Sequence, residues 1–413
     1  MTPQGANAEA SLAGGLRVCP GAPLGSSLRG TRPNWAPRLA QGQPVAALPG
    51  LVASLFNLCS HAHRLVCQLA LDVAAPGVLP PSLPVAQRLR HETATEHIRR
   101  MGLDWPRLLA SGADGAGSAP LVAALRVCPL LRPLTHADAD PWPATLAWLE
   151  AHWLHMPATV WLAQWVQGGG QWLREWASLW AAVEPVGLAA LVNGALAASD
   201  VGAPALDPAT ALPLPTAPAM QATLAQALVH QPGFTRWPQW QGACAHTGSW
   251  TRWRATSCPL HMVTPGSLLG SRMAELVRLC LPGEPLGGTG HGAEQAPGQG
   301  EHWLAWGAAP TGQGQALAWV EMARGVLLYR VAVEPSATPG GPRVAACEVL
   351  APTEWNFHPH GEVARRLSAL DAQAPAAQIR REVHLLMAAF DPCVPFALDM
   401  ASSQDHTQET DHA

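Results

Sequence analysis

Near its C-terminus the chain has a helical pattern that stops at a proline. Apolar residues recur on one face of a helix with 3.6 residues per turn, at Ile379, Val383, Leu386 and Phe390. Asp391-Pro392 follows directly. Because proline lacks a backbone donor and restricts the residue before it, the helix is expected to end there. The pattern therefore predicts that Cys393 lies on a stiff turn.

A second helical pattern starts close to another cysteine. Apolar residues at Leu65, Leu69 and Val73 follow Ser60, which we predict to cap the helix. Cys59 would then lie just before a helix N-terminus, where the partial positive charge favours a thiolate. Both Cys59 and Cys393 are thus candidate metal ligands. The alternative for each is a buried thiol that packs as a small hydrophobic side chain.

Most of the remaining pattern is also helical. A charged helix is predicted over 85–101. A second helix carries tryptophans on one side of its helical wheel and is expected to be interrupted by the glycines at 168–170. These tryptophans are Trp161, Trp165, Trp172, Trp176 and Trp180. We interpret this stripe as a packing face, within the fold or against a partner. Only 326–333 and 344–350 resemble strands, and they predict an antiparallel hairpin. The expected fold is mostly α, with a minor β portion near 320–350.

Proline and glycine clusters divide the chain. Residues 1–45 are expected to form a loose N-terminal segment, and residues 46–399 a single domain with flexible loops near 196–219 and 282–300. The polar residues 400–413 are expected to form a disordered tail.

Composition excludes several classes of function. The chain of 413 residues is 48% hydrophobic and 13% charged, with a net charge of -4, which argues against a nucleic-acid-binding protein. All 25 basic residues are arginines, so Schiff-base and Walker A chemistry have no lysine to use. The 9 cysteines lack paired spacing, and no secretory leader pattern begins the sequence. We therefore expect a cytoplasmic protein without a membrane span.

The two candidate cysteines lie in motifs that resemble those of a known family. Cys59 and His63 match the end of a CxxCxxxH motif, with Phe56 at its first cysteine. Asp391-Pro392-Cys393 matches the start of a DPCxxCxxH motif, in which Phe396 and Asp399 replace the second cysteine and the histidine. These motifs resemble those of the large subunit of nickel-iron hydrogenases, which uses four cysteines to hold nickel and an iron with cyanide and carbon monoxide ligands.

Further stretches follow the same family order and add residues to the expected site. The resemblance places Glu92 at an active-site carboxylate, His246 at the acid of an ETGPLAR-like segment and Arg324 at the arginine beside the diatomic ligands. Thr353 belongs to a stretch that resembles PTTWN. Without the resemblance, Glu92 and Arg324 would each be interpreted as a surface charge. The implied fold is a helical core like that of the hydrogenase large subunit.

The departures from the family pattern decide the expected function. Phenylalanine cannot bind a metal, so the two replaced cysteines argue against catalysis of hydrogen turnover. The retained and lost residues together resemble the HupK/HoxV type of hydrogenase expression and formation protein. The resemblance implies a scaffold that transiently holds an Fe(CN)2(CO) unit on Cys59 and Cys393, with His63, Glu92, Arg324 and Thr353 lining the ligand pocket. Nickel is not expected.

The resemblance also implies partners. These are hydrogenase maturation proteins of the HypC/HypD type and, in addition, the hydrogenase large subunit that would receive the iron. The alternative hypothesis is a metal-free chaperone that binds maturation factors through a surface like that of the large subunit.

Overall fold

The computed structural model describes residues 14–79, 85–110, 119–132, 140–199, 206–255, 263–282, 303–334 and 341–400. The α-helices of these ranges, α1 to α15 in chain order, are Trp35–Ala40, Leu48–Leu55, Ser60–Ala74, Val85–Arg99, Trp105–Leu109, Ala119–Val127, Pro141–Leu149, Ala158–Val183, Leu188–Ser199, Pro218–His230, Ser249–Ala255, Pro265–Cys280, Pro352–Asn356, Glu362–Ser368 and Ala376–Phe390. The strands β1 to β7 are Leu16–Val18, Leu28–Gly30, Trp306–Gly312, Gln315–Met322, Gly325–Glu334, Arg343–Leu350 and Phe396–Leu398. The prediction of a mostly helical fold with a minor β portion is confirmed.

The larger sheet has the strand order β3-β4-β5-β6, and all of its neighbouring strands are antiparallel. The predicted hairpin is confirmed as β5 and β6, which pair from Leu328 with Leu350 to Glu334 with Arg343. Helix α3 packs on β4 and β5. Because α3 begins directly after Cys59, this packing fixes the position of that cysteine relative to the sheet.

The smaller sheet joins the two ends of the described chain. Strand β1 pairs with β2 antiparallel and with β7 parallel, which places Leu16 beside Phe396. Residues 14–45 therefore belong to the fold instead of forming the loose segment that we expected. A parallel pairing of strands so distant in sequence leaves no local pattern that could have revealed it.

Tryptophans fill the helical core. Trp161, Trp165 and Trp176 are buried, and α8 packs against the almost completely buried helix α12. The close approach needs Gly270 of α12, because a Cβ there would lie 2.4 Å from the Trp165 ring. Gly169 has a φ of 51° and kinks α8, as predicted for 168–170. The tryptophan stripe is thus a packing face within the fold.

Several expected boundaries differ from the structure or lie outside it. Helix α9 extends to Ser199, into the loop expected near 196–219, and a π-helical turn over Arg100–Asp104 follows α4. Most of the expected loop near 282–300 and nearly all of the expected tail 400–413 lie outside the described residues. Among the described helices, none has the length and hydropathy needed to cross a membrane.

Candidate metal-binding site

Cys393 lies on the predicted turn after α15. Asp391 ends the helix in a left-handed conformation with a φ of 54°, which is uncommon for a residue other than glycine. The Thr353 hydroxyl donates to the Cys393 sulfur at 2.9 Å and accepts from the Cys393 backbone N–H at 3.2 Å. Arg32 Nη1 donates to the same sulfur at 3.3 Å. Two donors therefore point at a sulfur atom whose metal-binding form is an anion.

Cys59 directly precedes the first residue of α3 and is 5% exposed. Burial raises the pKa of its thiol, and a charge on Cys393 raises the pKa further, whereas Arg324 and Arg32 lower it. The net pKa lies well above its usual value. Burial therefore opposes the thiolate that the helix terminus was expected to favour. Ser60 is the first helical residue and not the predicted cap.

The two cysteines share one site. Each of them acts electrostatically on Arg324 and on Arg32, and a charge on Cys393 affects the pKa of Cys59. Both thiols are free, so no disulfide joins them. The two thiols, which are far apart in sequence, are therefore close enough to interact electrostatically with each other and with the same two arginines. Within the described ranges, however, no three His, Cys, Asp or Glu side chains are arranged to hold a metal ion.

Arg324 lies in the tight turn between β4 and β5 and is 1% exposed, so it is not the surface charge that the sequence alone suggested. Its Nη2 donates to Glu96 at 2.6 Å, and its Nε lies 3.5 Å from Asp391 Oδ2. Its Nη1 is buried and has no hydrogen-bond partner among the described residues. A buried donor of this kind costs free energy unless a ligand or water accepts from it.

The turn itself depends on Gly325. Its φ of 129° is one that residues with a side chain rarely adopt, and an added Cβ would lie 2.5 Å from the Thr247 side chain. The glycine thus allows the hairpin to pack closely while Arg324 points into the site.

An arginine cluster holds the turn beneath Cys393. Asp391 forms ion pairs with Arg100, Arg272 and Arg324, and Arg100 Nη2 also donates to the Pro392 carbonyl at 2.8 Å. Burial would raise the pKa of Asp391, but the three guanidinium groups hold it well below its usual range. The carboxylate is therefore charged at neutral pH. This cluster stabilises the left-handed conformation that orients Cys393.

Glu92 contacts the start of α3 from the neighbouring helix α4. Its Oε1 accepts from the His61 backbone N–H at 3.1 Å, while its buried Oε2 has no partner in the described chain. Burial raises the pKa of Glu92 to about 7, against the effect of the His61 N–H and of Arg324. This half-buried carboxyl group is close enough to Cys59 to raise the pKa of that thiol. It does not lie on the exposed surface that composition alone suggested.

Phe56, at the position of the missing cysteine, stacks its ring on that of His63. Its ring lies 3.9 Å from the His63 ring, nearly parallel to it, and the Arg32 guanidinium lies 5.0 Å from the ring centre on the Phe56 face. His63 Nδ1 lies 2.7 Å from the Tyr329 hydroxyl. Burial lowers the pKa of His63 well below its usual value, so the ring is neutral. Phe56 thus positions Arg32 and His63 beside the thiols.

The second replacement, Phe396, contacts a different histidine. Phe396 lies in β7, half-buried, with its ring against His384 at 5.9 Å. Asp399, where the family has a histidine, is exposed and pairs with Arg17 at 2.8 Å.

Sequence reasoning missed three contributors to this site: Arg32, Tyr329 and Glu96. Each reaches the site through a tertiary contact with a residue far away in the sequence. Glu96, four residues after Glu92 on the predicted charged helix, had the strongest local signal. Of the other cysteines in the described ranges, Cys67, Cys128, Cys280 and Cys347 are buried, as expected for packing thiols, and Cys19 and Cys244 are half-buried.

A named relative matches nearly the whole chain. The hydrogenase expression/formation protein HoxV of Cupriavidus necator is 38% identical over 403 residues, which span 96% of this chain and 98% of HoxV. The chain belongs to the HoxV/HupK family of hydrogenase expression/formation proteins. The predicted resemblance is thereby confirmed. HupK of Bradyrhizobium diazoefficiens is 28% identical over 385 residues, covering 88% of this chain and 89% of HupK.

The chain was also compared with protein-family models and with solved structures. No protein-family model matches the chain. The solved structures that resemble it include an NAD+-reducing NiFe-hydrogenase in the H2-reduced state, at 15% identity and a TM-score of 0.47 over 89% of this chain and 91% of that one. A Ni-Fe-Se hydrogenase from D. vulgaris Hildenborough also has a TM-score of 0.47, at 13% identity over 89% and 92% of the two chains.

Proposed function

We propose that this protein is a non-catalytic scaffold in the maturation of nickel-iron hydrogenase. It transiently holds an Fe(CN)2(CO) unit as cargo on Cys59 and Cys393 and passes it to the hydrogenase large subunit. HoxV and HupK are hydrogenase expression/formation proteins by name, which supports the role in maturation. The observation that supports the iron proposal is that both thiols interact electrostatically with Arg324, whose buried Nη1 has no hydrogen-bond partner among the described residues.

The chemistry of the side chains suits this cargo. Thiolates are soft ligands that bind iron well, and two of them leave the remaining positions to cyanide and carbon monoxide. Arg324 Nη1–H can donate to a cyanide nitrogen, since it has no acceptor in the described protein. Thr353 and Arg32 both donate to the Cys393 sulfur, an arrangement that suits a thiolate ligand. A buried thiol must lose a proton to bind iron, so retention of the cargo is limited and release is favoured.

The same residues argue against turnover of hydrogen. With Phe56 and Phe396 in place of cysteines, the site lacks two of the four thiolates that a nickel-iron centre uses. Nickel binding is therefore not part of the proposal. We propose that the scaffold acts in the cytoplasm and receives the iron unit from maturation proteins of the HypC/HypD type.

Infrared spectroscopy tests the proposal directly. The protein purified from a host that matures hydrogenases should show cyanide and carbonyl stretching bands together with bound iron. Cys59→Ala and Cys393→Ala should each abolish the bands, whereas Cys128→Ala, which removes a buried thiol outside the site, should retain them. Unchanged bands in both site variants would refute the assignment of the ligands.

One observation favours the metal-free chaperone as a second candidate. Leu179 and Val183 are 62% and 67% exposed on one face at the end of α8, and large apolar side chains exposed side by side are typical of binding surfaces. If the protein from the maturation-competent host never contained iron or showed the bands, and still captured HypC/HypD-type factors, this candidate would replace the scaffold.

A further inference from the structure

A cleft of about 930 Å³ opens beside the candidate site. Phe56, Arg32 and Thr353 line its inner end, and all three contact groups of the site. Pockets of roughly 300–1,000 Å³ normally hold a drug-sized ligand. The cleft is therefore larger than one iron with three diatomic ligands needs. Its volume indicates a second and bulkier occupant.

The charge of the cleft indicates the chemistry of that occupant. Its lining includes the arginines Arg17, Arg29, Arg32 and Arg236 and one acidic residue, Glu354. Arg17 is paired with Asp399 and Arg32 with Glu354, so the excess positive charge comes from Arg29 and Arg236. Arg29 and Arg236 are exposed at its outer part. Since the protein as a whole has a net charge of -4, this concentration of positive charge is a local feature. It favours an acidic ligand.

The rim of the cleft has the composition of a protein-binding hot spot. Trp237 lines the cleft and is 52% exposed, although large aromatic side chains are usually buried. The Arg236 guanidinium lies 5.2 Å from the Trp237 ring centre, and its Nη2 donates to the Gly30 carbonyl at 2.8 Å. Tryptophan and arginine held in fixed positions are the residues that dominate binding energy at protein interfaces.

A ligand that fills the interior of the cleft must supply hydrogen-bond donors as well as acceptors. Glu354 Oε1 lies 3.1 Å from Arg32 Nη1, while Glu354 Oε2 is buried without a partner in the described part of the chain. A simple anion offers no donor to this oxygen. A peptide supplies both, because its acidic side chains accept from the arginines and its backbone N–H groups donate to carboxylate oxygens.

We infer that this cleft docks an acidic peptide segment of a partner protein, with the end of the segment reaching Arg32 beside Cys393. The inference rests on the proposed function in that it assigns the partner's segment to the entrance of the iron site. It explains why arginines and Trp237 line a cleft whose inner end lies beside the Cys393 thiol.

The absence of lysine from the sequence makes a direct test possible. Arg236→Lys would introduce the only side-chain amine of the chain, next to the cleft. A carbodiimide joins carboxylates to amines in contact, and the probe is a short synthetic peptide of alternating Glu and Gly with blocked ends. We expect mass spectrometry to find the peptide attached at position 236. Arg107→Lys, on the exposed part of α5 outside the cleft, should give little product. Equal labelling at both positions would contradict the inference.

Binding of the same peptide, measured by fluorescence anisotropy, gives the quantitative test. The double variant Arg29→Glu/Arg236→Glu should weaken binding by at least about tenfold, because like charges would then face each other, and Arg107→Glu should leave it unchanged. A peptide of alternating Gln and Gly should bind at least about tenfold more weakly to the natural protein. Equal binding of both peptides, or no effect of charge reversal, would overturn the docking site.

The experiments distinguish failure of the iron proposal from failure of the docking inference. Cys393→Ala should keep full peptide binding while it abolishes the cyanide and carbonyl bands. Loss of peptide binding in the arginine variants is expected whether or not iron is present. If the bands depend on both cysteines but the peptide does not bind, the docking inference alone is wrong. If the peptide binds the cleft but no bands are ever seen, only the iron proposal fails.

Discussion

Thr353 binds Cys393 twice, as a donor to the sulfur at 2.9 Å and as an acceptor from its backbone N–H at 3.2 Å. The first of these bonds reaches the proposed ligand atom, and the second fixes the backbone that carries it. One hydroxyl group therefore contacts both the backbone of the turn and the sulfur atom that the turn presents.

Thr353→Val should separate these contributions, because it keeps the shape of the side chain and removes both bonds. We expect the free energy of unfolding to fall by about 1–3 kcal/mol, since the Cys393 N–H loses its acceptor. Urea denaturation measures this loss. On iron-loaded protein the carbonyl band should also shift, because one donor to the ligating sulfur is gone.

Thr353→Ser is the matched control, since it retains the hydroxyl group. It should keep the carbonyl band at its original frequency. A shift of equal size in both variants would show that the hydroxyl group does not act on the sulfur.

Arg324→Ala should destabilise the protein strongly. The side chain is 1% exposed and pairs with Glu96 and Asp391, so its removal leaves buried carboxylates with fewer partners. Breaking a buried ion pair in this way costs about 3–5 kcal/mol. Chemical denaturation would measure it, with Arg107→Ala at an exposed ion pair as the control, for which a change below about 1 kcal/mol is expected.

Arg324→Lys distinguishes the charge from the geometry of the donors. A lysine keeps the positive charge but lacks the planar set of N–H donors. We expect iron to bind, with cyanide bands that are shifted relative to those of the natural protein. Unshifted bands would mean that Arg324 does not donate to a cyanide.

Phe56→Cys restores one cysteine of the family motif and removes the ring that stacks on His63. The lost packing should cost about 1–3 kcal/mol, less than for a fully buried phenylalanine. A third thiol should nevertheless retain the iron unit longer, which is measured as iron lost to a chelator over time. Phe56→Ser, with a similar loss of packing and no thiol, should not slow this loss. Equal rates in the two variants would refute a ligand position at residue 56.

His246 should contribute to the loss of stability in acid. Burial and nearby Arg365 lower its pKa to about 3, and its Nε2 accepts from the Glu362 backbone N–H at 3.4 Å, so the buried ring is neutral. The unfolded chain takes up a proton below its ordinary pKa of about 6.5, whereas the folded protein does so only near the lowered value. Stability is therefore lost as the pH falls through this window, by about 1.4 kcal/mol per pH unit from this group.

The measurement compares unfolding of the natural protein and of His246→Gln at pH 7 and pH 5. Other titrating groups contribute equally to both, so the natural protein should lose about 2 kcal/mol more than the variant. Identical losses would show that the ring does not remain neutral in the folded protein.

Local patterns in the sequence determined several features of this protein. The apolar stripe and the Asp-Pro pair determined the helix that ends before Cys393, and the alternating runs determined the β5 and β6 hairpin. The motifs indicated both cysteines and Arg324. These features depend on interactions between residues that are close together in the sequence, and such interactions can be recognised from the sequence alone.

Only the tertiary structure decided the surroundings of the two thiols. Burial, which no single stretch of sequence specifies, raises the pKa of Cys59 against the effect of the helix terminus. Arg32 reaches Cys393 across 361 residues of sequence, and the parallel pairing of β1 with β7 joins the two ends of the described chain. The sequence determined which residues are candidate metal ligands. Packing between distant segments decided the burial of Cys59, the hydrogen-bond partners of Cys393 and the arginine-lined cleft beside them.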